Sequence, residues 1–313
     1  MRNSELLEIS ATLQEFPFPT KFAVEICSRC NLHCAHCHQP TMRRSHGVMP
    51  FDLWRRCADE IADRAPQTEC WFSFCGEPLL EPELLCRMIR YGKSVGLQHV
   101  HLNTNGLLLT PDLAEPILDS GLDLVVFGID GYTAPTYESI RRGGDRDLLF
   151  DNVAHFVERR RVRERGPEIH VQFVEMDENQ HELEDFRRFW LERGAVVKIR
   201  KKLSWGGRIE SPLDVSHEDR IPCPWALTVM HVFWDGRVPR CSGDTEGEEC
   251  VGNAWEEPLV DLWGRLAPFR RLQLQRRFDE VPPRCRICKD WMTGAATRVR
   301  PPKTAPNGKA APR

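Results

Sequence analysis

The stretch "CSRCNLHCAHCHQP" at residues 27–40 places four cysteines and three histidines directly after the apolar run "KFAVEI". Three of the thiols follow the spacing Cys30-x3-Cys34-x2-Cys37, in a predicted loop at the end of a first strand. Thiolates on so short a loop can converge on one cubane iron–sulfur cluster, with each thiolate binding one iron and the fourth iron left open. A structural zinc site would need four closed ligands, which Cys27 or a neighbouring histidine could complete. The spacing alone leaves both alternatives open.

Composition narrows the class of protein. The chain has 313 residues, 41% of them hydrophobic, and a formal net charge of −3. Its mixed charges give no basic field of the kind that nucleic-acid binding needs, so no nucleic-acid partner is expected. The absence of a signal-peptide pattern or a long apolar run predicts a soluble cytoplasmic protein that does not bind a membrane. In that compartment, thirteen cysteines favour metal binding or thiol chemistry over disulfides.

Apolar and alternating runs predict six strands, and amphipathic segments between them predict helices. This alternation is typical of right-handed βαβ units and a mostly parallel α/β sheet, curved or closed. The functional site is then expected at the carboxyl ends of the strands. The predicted strands are 22–26, 70–75, 99–104, 123–129, 169–176 and 195–203.

The pattern changes after about residue 205, where polar, turn-rich sequence leads into a second group of cysteines. Cys223 and Cys241 stand at either end of a predicted hairpin that turns at "WDGR", and "RCRICKDW" adds Cys285 and Cys288. Four such ligands can close either a structural zinc site or an iron–sulfur cluster. We therefore expect a small metal-stabilised module, followed by a disordered tail that lacks periodicity.

The cysteine spacing at residues 30–37 resembles the signature of the radical S-adenosylmethionine (SAM) enzymes, and further motifs follow in that family's order. "SFCGEPL" is similar to the family's Gly-Gly-Glu-Pro turn, with Cys75 in place of the first glycine, and "HLNTNG" and "FGIDG" resemble its third and fourth strand ends. The resemblance implies a partial (βα)6 barrel in which Cys30, Cys34 and Cys37 hold a [4Fe–4S] cluster whose open iron binds SAM. The SAM contacts that it implies are Gly76, Glu77, Pro78, Asn103, Asn105 and Asp130, although the two asparagines and Asp130 could equally be turn residues.

The C-terminal cysteines, with "VGNAWEEPLVDLW" after them, resemble the shortened auxiliary-cluster module, or twitch, of the SPASM/twitch group. Because no cysteine follows Cys288, the resemblance implies one auxiliary [4Fe–4S] cluster, held by Cys223, Cys241, Cys285 and Cys288. The expected domains are an N-terminal extension at 1–20, a radical SAM core at 21–205, the auxiliary module at 206–295 and the tail at 296–313.

The resemblance also implies a chemistry. A reductant of the flavodoxin or ferredoxin type would supply one electron, SAM would yield a 5′-deoxyadenosyl radical, and that radical would remove a hydrogen from the substrate. In size and cluster complement the chain resembles radical SAM enzymes of aminoglycoside and aminocyclitol biosynthesis, including the epimerases of the neomycin type. The lead hypothesis is an epimerase in which Cys250 returns a hydrogen atom, although Cys250 could also be a buried hydrophobe.

Two alternatives stay open. One is a dehydrogenase in which the auxiliary cluster accepts the electron, and the other is a non-enzymatic binding protein stabilised by two zinc ions. Acidic residues near the expected mouth of the site would suit a polycationic aminosugar or aminocyclitol. These are Asp130, Glu138, Asp244, Glu246, Glu248 and Glu249.

Overall fold

A mixed sheet of eight strands forms the centre of the computed structural model, which describes residue 8 and residues 10–210, 220–294 and 296–301. The strands are β1 (Lys21–Val24), β2 (Glu69–Phe72), β3 (His99–Thr104), β4 (Leu124–Gly128), β5 (Glu168–Glu175), β6 (Val196–Lys201), β7 (Val229–Val232) and β10 (Thr297–Val299). A separate antiparallel pair consists of β8 (Arg237–Pro239) and β9 (Cys250–Asn253).

The strand order in the large sheet is β10-β6-β5-β4-β3-β2-β1-β7. Neighbouring strands are parallel except for β10, which runs antiparallel to β6. The α/β prediction is therefore confirmed, and each of the six predicted strands appears within a few residues of its expected bounds.

Helices connect the parallel strands as the periodicity predicts. In the first helix, Trp54, Cys57 and Ile61 are fully buried and lie on one face, because residues three and four apart stack along a helix. The helices are α1 (Phe51–Arg64), α2 (Pro82–Ser94), α3 (Pro111–Leu118), α4 (Ala134–Ile140), α5 (Arg146–Arg163), α6 (Leu183–Glu192), α7 (Pro224–Thr228), α8 (Leu259–Arg265), α9 (Ala267–Leu274) and α10 (Pro283–Ile287). Within the described ranges, no helix is long and apolar enough to span a membrane.

Alternation along the strands separates the core from the site. Phe72, Leu102, Phe127 and Phe173 are buried in the main hydrophobic core. Residues of opposite parity on these strands and their neighbours point the other way, because successive strand side chains face opposite sides of a sheet. Four of these, Asn103, Gln172, Arg200 and His231, line a cavity.

Two details differ from the sequence-based expectations. The turn at "WDGR" forms, since the Phe233 and Arg237 backbones are hydrogen-bonded across it at 3.0 Å. However, β7 pairs with β1 in the large sheet, and β8 pairs with β9, so the two segments are not the two strands of one hairpin ladder. Within the expected tail, Thr297–Val299 form β10, which pairs with β6. Residues 302–313 lie outside the described residues.

The expected domain boundaries stay a prediction. Residues 1–7 of the expected N-terminal extension lie outside the described residues, as do 211–219 of the expected auxiliary module. Strand β7 lies beyond the expected boundary at residue 205, yet it continues the same sheet as the core strands. The two predicted domains therefore share backbone hydrogen bonds.

Candidate functional site

One cavity at the carboxyl ends of the parallel strands is lined by both groups of cysteines that the sequence singled out. The first group comes from the loop after β1, and the second comes from the residue before α7, the segment after β8, and α10 with the residue after it. The cysteines on the cavity wall from these groups are Cys30, Cys34, Cys37, Cys223, Cys241, Cys285 and Cys288.

The loop of the first group is fixed at the backbone. His33 N donates to Arg142 O at 2.9 Å, and Ala35 N donates to Ile140 O at 2.8 Å, so the loop is attached to the end of α4. These two bonds hold the segment between Cys30 and Cys37 in place before any ligand is bound.

Polar donors face the sulfur atoms of this loop. Gln39 N lies 3.4 Å from Cys37 Sγ, Asn105 Nδ2 lies 3.9 Å from Cys30 Sγ, and Arg141 Nη1 lies 3.9 Å from Cys34 Sγ. Nearby donors and positive charge favour thiolates. The donor set thus fits a negatively charged sulfur cluster.

Burial has the opposite effect on the free thiols. It raises the pKa of Cys30 to about 11 and that of Cys37 to about 12, and it raises the pKa of Cys34 as well. Such thiols stay protonated at neutral pH unless a metal binds to them. A bound metal displaces the thiol protons. The three cysteines therefore fit metal ligands better than reactive nucleophiles.

The turn after β2 packs directly beneath the cysteine loop. A Cβ atom on Gly76 would lie 2.0 Å from Cys27 O, so only glycine fits there. The Cys27 thiol donates to Glu77 O at 3.1 Å, which accounts for Cys27 as a structural thiol outside the metal-binding triplet. Pro78 begins a short 3-10 helix, Pro78–Leu80, and does not line the cavity.

Glu77 reaches the end of the neighbouring strand. Its Oε1 accepts from Leu79 N at 2.8 Å and from Thr104 Oγ1 at 2.7 Å, and its Oε2 accepts from Asn105 N at 2.7 Å. Both oxygens are therefore engaged within the protein, although the residue borders the cavity. Glu77 thus holds β2 and β3 in register at the edge of the cavity.

The other predicted SAM contacts differ in their surroundings. Asn103 lines the cavity, and its buried Oδ1 has no hydrogen-bond partner. Asn105 also lines the cavity, but its side chain already bonds Asn31 Oδ1 at 2.8 Å and Leu107 N at 3.1 Å. Of the two, Asn103 is the one with an oxygen free for a ligand.

Asp130 is fully buried and lies outside the cavity lining. Its Oδ2 accepts from Arg141 Nη2 at 2.6 Å and lies 3.2 Å from His36 Nε2, and its Oδ1 accepts from Val174 N at 2.7 Å. Burial would raise the pKa of Asp130, but Arg141 and His36 hold it well below its usual range. Asp130 thus holds the side chain of Arg141, which does line the cavity beside Cys34, and its predicted contact with SAM stays a prediction.

Donors also surround the second cysteine group. Arg220 Nη2 and Gln273 Nε2 each lie 3.2 Å from Cys285 Sγ, and Asp290 N lies 3.4 Å from Cys288 Sγ. Burial raises the pKa of Cys223, Cys241 and Cys288. As in the first group, buried thiols with nearby donors fit metal ligation.

Zinc and an iron–sulfur cluster place different demands on the thiols. A zinc ion needs its ligands within about 2.0–2.3 Å of one point, whereas each cysteine of a cubane binds a different iron. Within the described part of the chain, no three His, Cys, Asp or Glu side chains converge closely enough to hold one metal ion. The assignment of the seven cysteines as cluster ligands stays a prediction.

Cys250 is the first residue of β9 and packs against the turn before it. Its Sγ lies 3.4 Å from Gly247 O, and a Cβ atom on Gly247 would lie 3.2 Å from that sulfur. The residue is not part of the cavity lining, whereas its neighbour Glu249 is. The role of Cys250 as a hydrogen-atom donor stays a prediction.

Sequence reasoning did not single out several residues on the cavity wall, among them Cys75, Arg200 and His231. The sequence-based prediction treated Cys75 only as a replacement for glycine, although a thiol inside a glycine-rich motif was a signal that could have placed it at the site. Arg200 lies on a predicted strand and His231 in the predicted hairpin, but periodicity alone does not say which strand face is the core and which is the cavity.

Comparison with known proteins agrees with this arrangement. The model of the radical SAM superfamily matches residues 24–189, which is more than half of the chain. The chain belongs to the radical SAM superfamily. A second model, the SPASM iron–sulfur cluster-binding domain, matches residues 223–289 and so includes the second cysteine group. The predicted family resemblance is confirmed. As a radical SAM protein, the chain uses SAM and a [4Fe–4S] cluster. Its SPASM region is a part that binds auxiliary iron–sulfur.

Curated radical SAM relatives differ in what they do. The chain is 30% identical over 180 residues to the tungsten-containing aldehyde ferredoxin oxidoreductase cofactor-modifying protein of Pyrococcus furiosus, covering 56% of this chain and 49% of the relative. It is 28% identical over 208 residues to a probable GTP 3′,8-cyclase of Methanothermobacter marburgensis, covering 66% and 65%. The matches span between about half and two thirds of these relatives.

Solved structures share the fold at lower identity. BtrN, solved with AdoMet and 2-DOIA, superposes with a TM-score of 0.62 at 17% identity, covering 88% of this chain and 94% of that chain. SuiB of Streptococcus suis, solved with its precursor peptide SuiA, gives a TM-score of 0.66 at 15% identity, covering 86% and 70%. These likenesses support the radical SAM fold.

Proposed function

We propose that the chain is a radical SAM oxidoreductase that converts a secondary alcohol of a small-molecule substrate into a carbonyl. The observation that carries the proposal is that both cysteine groups line one cavity, together with His231. An electron acceptor beside the reacting carbon favours oxidation over return of a hydrogen atom. An aminosugar or aminocyclitol alcohol, as the sequence predicts, belongs to this class of substrate.

Cys30, Cys34 and Cys37 would hold the SAM-binding cluster, and Cys223, Cys241, Cys285 and Cys288 would hold one auxiliary cluster. Bound there, SAM and its cluster would remove a hydrogen atom from the substrate, and the auxiliary cluster would accept one electron. A flavodoxin-type or ferredoxin-type reductant would supply the initiating electron. The protein binds and orients the alcohol and keeps water away from the reacting carbon.

His231 is the residue we propose for the hydroxyl proton. Its Nε2 lies 2.7 Å from Ser242 Oγ, and its buried Nδ1 has no partner. Burial lowers the pKa of His231 to about 3, so the ring is neutral. When Nε2–H donates to Ser242, Nδ1 presents a lone pair that can accept a hydrogen bond from the substrate hydroxyl. The alcohol would then lose one hydrogen atom, one electron and one proton, and the proton would pass to His231 Nδ1.

The test uses anaerobically reconstituted protein with SAM, dithionite and a panel of secondary alcohols. Wild type should form a carbonyl and 5′-deoxyadenosine in equal amounts. His231→Gln should lower the rate of carbonyl formation by about 10²- to 10⁴-fold at neutral pH, while substrate-free SAM cleavage persists. His181→Gln, at a side chain that is 66% exposed, is the matched control. Carbonyl formation by His231→Gln at the wild-type rate would refute this role.

Epimerisation is the second candidate, because one further thiol lines the cavity. Cys75 is buried there, and burial raises the pKa of its thiol well above the usual value, so the S–H bond stays intact. That thiol could give a hydrogen atom to a substrate radical, and an external one-electron reductant with a solvent proton would restore it. Arg44 donates a hydrogen bond to Cys75 and also forms a buried pair with Glu25, so the thiol is held in place.

Turnover in heavy water separates the two candidates. Oxidation predicts a carbonyl without solvent deuterium on that carbon. Epimerisation predicts an inverted carbon that carries one deuterium, because thiol hydrogens exchange with water. If epimerisation occurs, Cys75→Ala should abolish it and Cys250→Ala should not, and the reverse outcome would restore the sequence-based hypothesis.

A further inference from the structure

We propose that Arg200 binds an anionic group of the substrate, a carboxylate or a phosphate. The inference rests on the proposed alcohol oxidation and adds the substrate's charge to it. The substrate class is thus a hydroxy acid or a hydroxylated phosphate ester.

Arg200 stands at the carboxyl end of β6 and lines the cavity. Its buried Nη2 has no hydrogen-bond partner, and no carboxylate among the described residues lies within ion-pair distance of its guanidinium. The aromatic ring of Trp225 lies 5.9 Å from its Cζ. A buried guanidinium without a counter-charge is costly, so it calls for a partner that the protein itself does not supply.

The nearest carboxylates are already engaged. Asp130 accepts from Arg141 and from Val174 N, and Asp290 accepts from Ser204 N at 2.5 Å and from Gly206 N at 2.8 Å. Both act on Arg200 only at longer range. An incoming anion would therefore meet a guanidinium with free N–H groups.

Other cations on the cavity wall differ from Arg200 in this respect. Arg141 pairs with Asp130, and Lys201 Nζ lies 2.7 Å from Glu175. Arg240 Nε lies 3.1 Å from Glu249 Oε2, and Arg284 pairs with Glu248. Among the described lysines and arginines of the cavity lining, Arg200 is the one without an ion pair.

Of the six acidic residues that seemed to suit a polycation, Glu138 is exposed and outside the cavity lining, and the other five are engaged within the protein. Glu246 accepts from the backbone of Arg43 and Arg44 and from His38. Asp244 accepts from Glu248 N and Glu249 N, each at 2.9 Å. Apart from the cysteines assigned to the clusters, the unpaired side-chain charge on the cavity wall is thus positive, which favours an anionic substrate over a polycationic aminosugar.

The geometry of the sheet adds a second point of contact. Strands β6 and β7 are far apart in the strand order, yet Arg200 and His231 line the same cavity. Arginine binds carboxylate and phosphate through two parallel N–H bonds, which fixes orientation as well as charge. An anion at Arg200 and a hydroxyl at His231 would hold the two ends of one substrate.

The experiment uses the reconstituted holoenzyme with SAM under anaerobic conditions, titrated with inorganic phosphate in one arm and carbon-13-labelled acetate in the other. Line broadening of the phosphorus or carbon resonance by the reduced clusters reports binding near them. At least one anion should bind saturably, and which of the two does so distinguishes a phosphate from a carboxylate. Arg200→Gln should weaken that binding about tenfold or more, which is a free-energy change of about 1.4 kcal/mol or more. Arg200→Lys should retain part of it.

Lys201→Gln is the matched control, because it removes one positive charge from the same strand at a residue that is already paired. Equal weakening by Lys201→Gln and Arg200→Gln, or no saturable binding of either anion, would overturn the proposal. So would a loss of SAM affinity or iron content in Arg200→Gln, which would assign the arginine to SAM or to a cluster. Substrate-free formation of 5′-deoxyadenosine reports the radical SAM activity separately, so failure of one inference is distinguishable from failure of the other.

Discussion

At the scale of single residues, the turn at Gly76 and Glu77 connects the end of β2 to the end of β3. The backbone of the cysteine loop rests on Gly76, and the carboxylate of Glu77 reaches Thr104 and Asn105 at the end of β3. Asn105 in turn lies beside Cys30 Sγ. A disturbance at this turn therefore reaches the first cysteine group without touching any of its members.

Gly76→Ala is expected to be destabilising and inactive. The added Cβ would meet Cys27 O at 2.0 Å and Arg29 O at 2.8 Å, and these are backbone atoms that cannot move aside cheaply. The expected loss is about 1–3 kcal/mol of unfolding free energy, measured by denaturant titration, with loss of SAM cleavage. Gly264→Ala is the control, since nothing lies within 4 Å of a Cβ built there. Equal stability of the two variants would contradict the close packing at Gly76.

Glu77→Gln tests whether this carboxylate is a structural acceptor. Glutamine would turn one oxygen into a donor that faces either Asn105 N or the Leu79 N and Thr104 pair. The free energy of unfolding should fall by about 1–3 kcal/mol, because one buried donor is left unsatisfied. Glu83→Gln, at an exposed residue of α2, should change the midpoint of denaturation little. A Glu77→Gln protein of full stability would show that these bonds contribute nothing.

At the scale of elements, β10 covers the outer edge of β6. Its residues Thr297 and Val299 stand opposite Ile199 and Val197, and Arg300 pairs with Glu168 on β5. An uncovered edge strand exposes unpaired N–H and C=O groups that can pair with another chain. β10 therefore protects the strand that carries Arg200.

Truncation after residue 295 should expose that edge. We expect a loss of about 1–3 kcal/mol from the missing hydrogen bonds, and light scattering that rises with protein concentration. Truncation after residue 301 keeps β10 and is the matched control. If both truncated proteins denature and scatter light alike, β10 does not serve as an edge cover.

At the scale of the whole molecule, two cysteine groups far apart in the chain meet on one cavity. Cys285 and Cys288 are about 250 residues beyond Cys30, yet all three line that cavity. The meeting depends on β7, which leads from the helix after Cys223 into the large sheet beside β1. The sheet thus sets the position of both groups.

Substitution of either cysteine group should remove about half of the bound iron. Wild type should hold about eight irons after reconstitution, and Cys285→Ala with Cys288→Ala should hold about four while still cleaving SAM. Cys30→Ala with Cys34→Ala and Cys37→Ala should also hold about four, but without SAM cleavage. Cys57→Ala, at a buried core position, should retain the full iron content. Zinc at stoichiometry in place of iron would contradict the assignment of both groups.

The amino-acid sequence was sufficient to predict features whose residues lie close together in the chain. Cys30, Cys34 and Cys37 stand close together in the chain, and six strands followed from periodicity, so family and core could be predicted. The pairing of β7 with β1 could not, because it joins two four-residue runs about 200 residues apart. The place of Cys250 and the isolation of Arg200 depend on side-chain direction and ion pairing, which only the assembled sheet determines.

The pairing of β7 with β1 also limits how this protein can be taken apart. Expression of residues 21–205 alone would leave one side of β1 without its partner strand, so we expect that fragment to be less stable than the same residues in the full chain. Because the two cofactor-binding parts share these backbone hydrogen bonds, we expect them to unfold together. A different SPASM region grafted onto this core would therefore need a strand that can pair with β1.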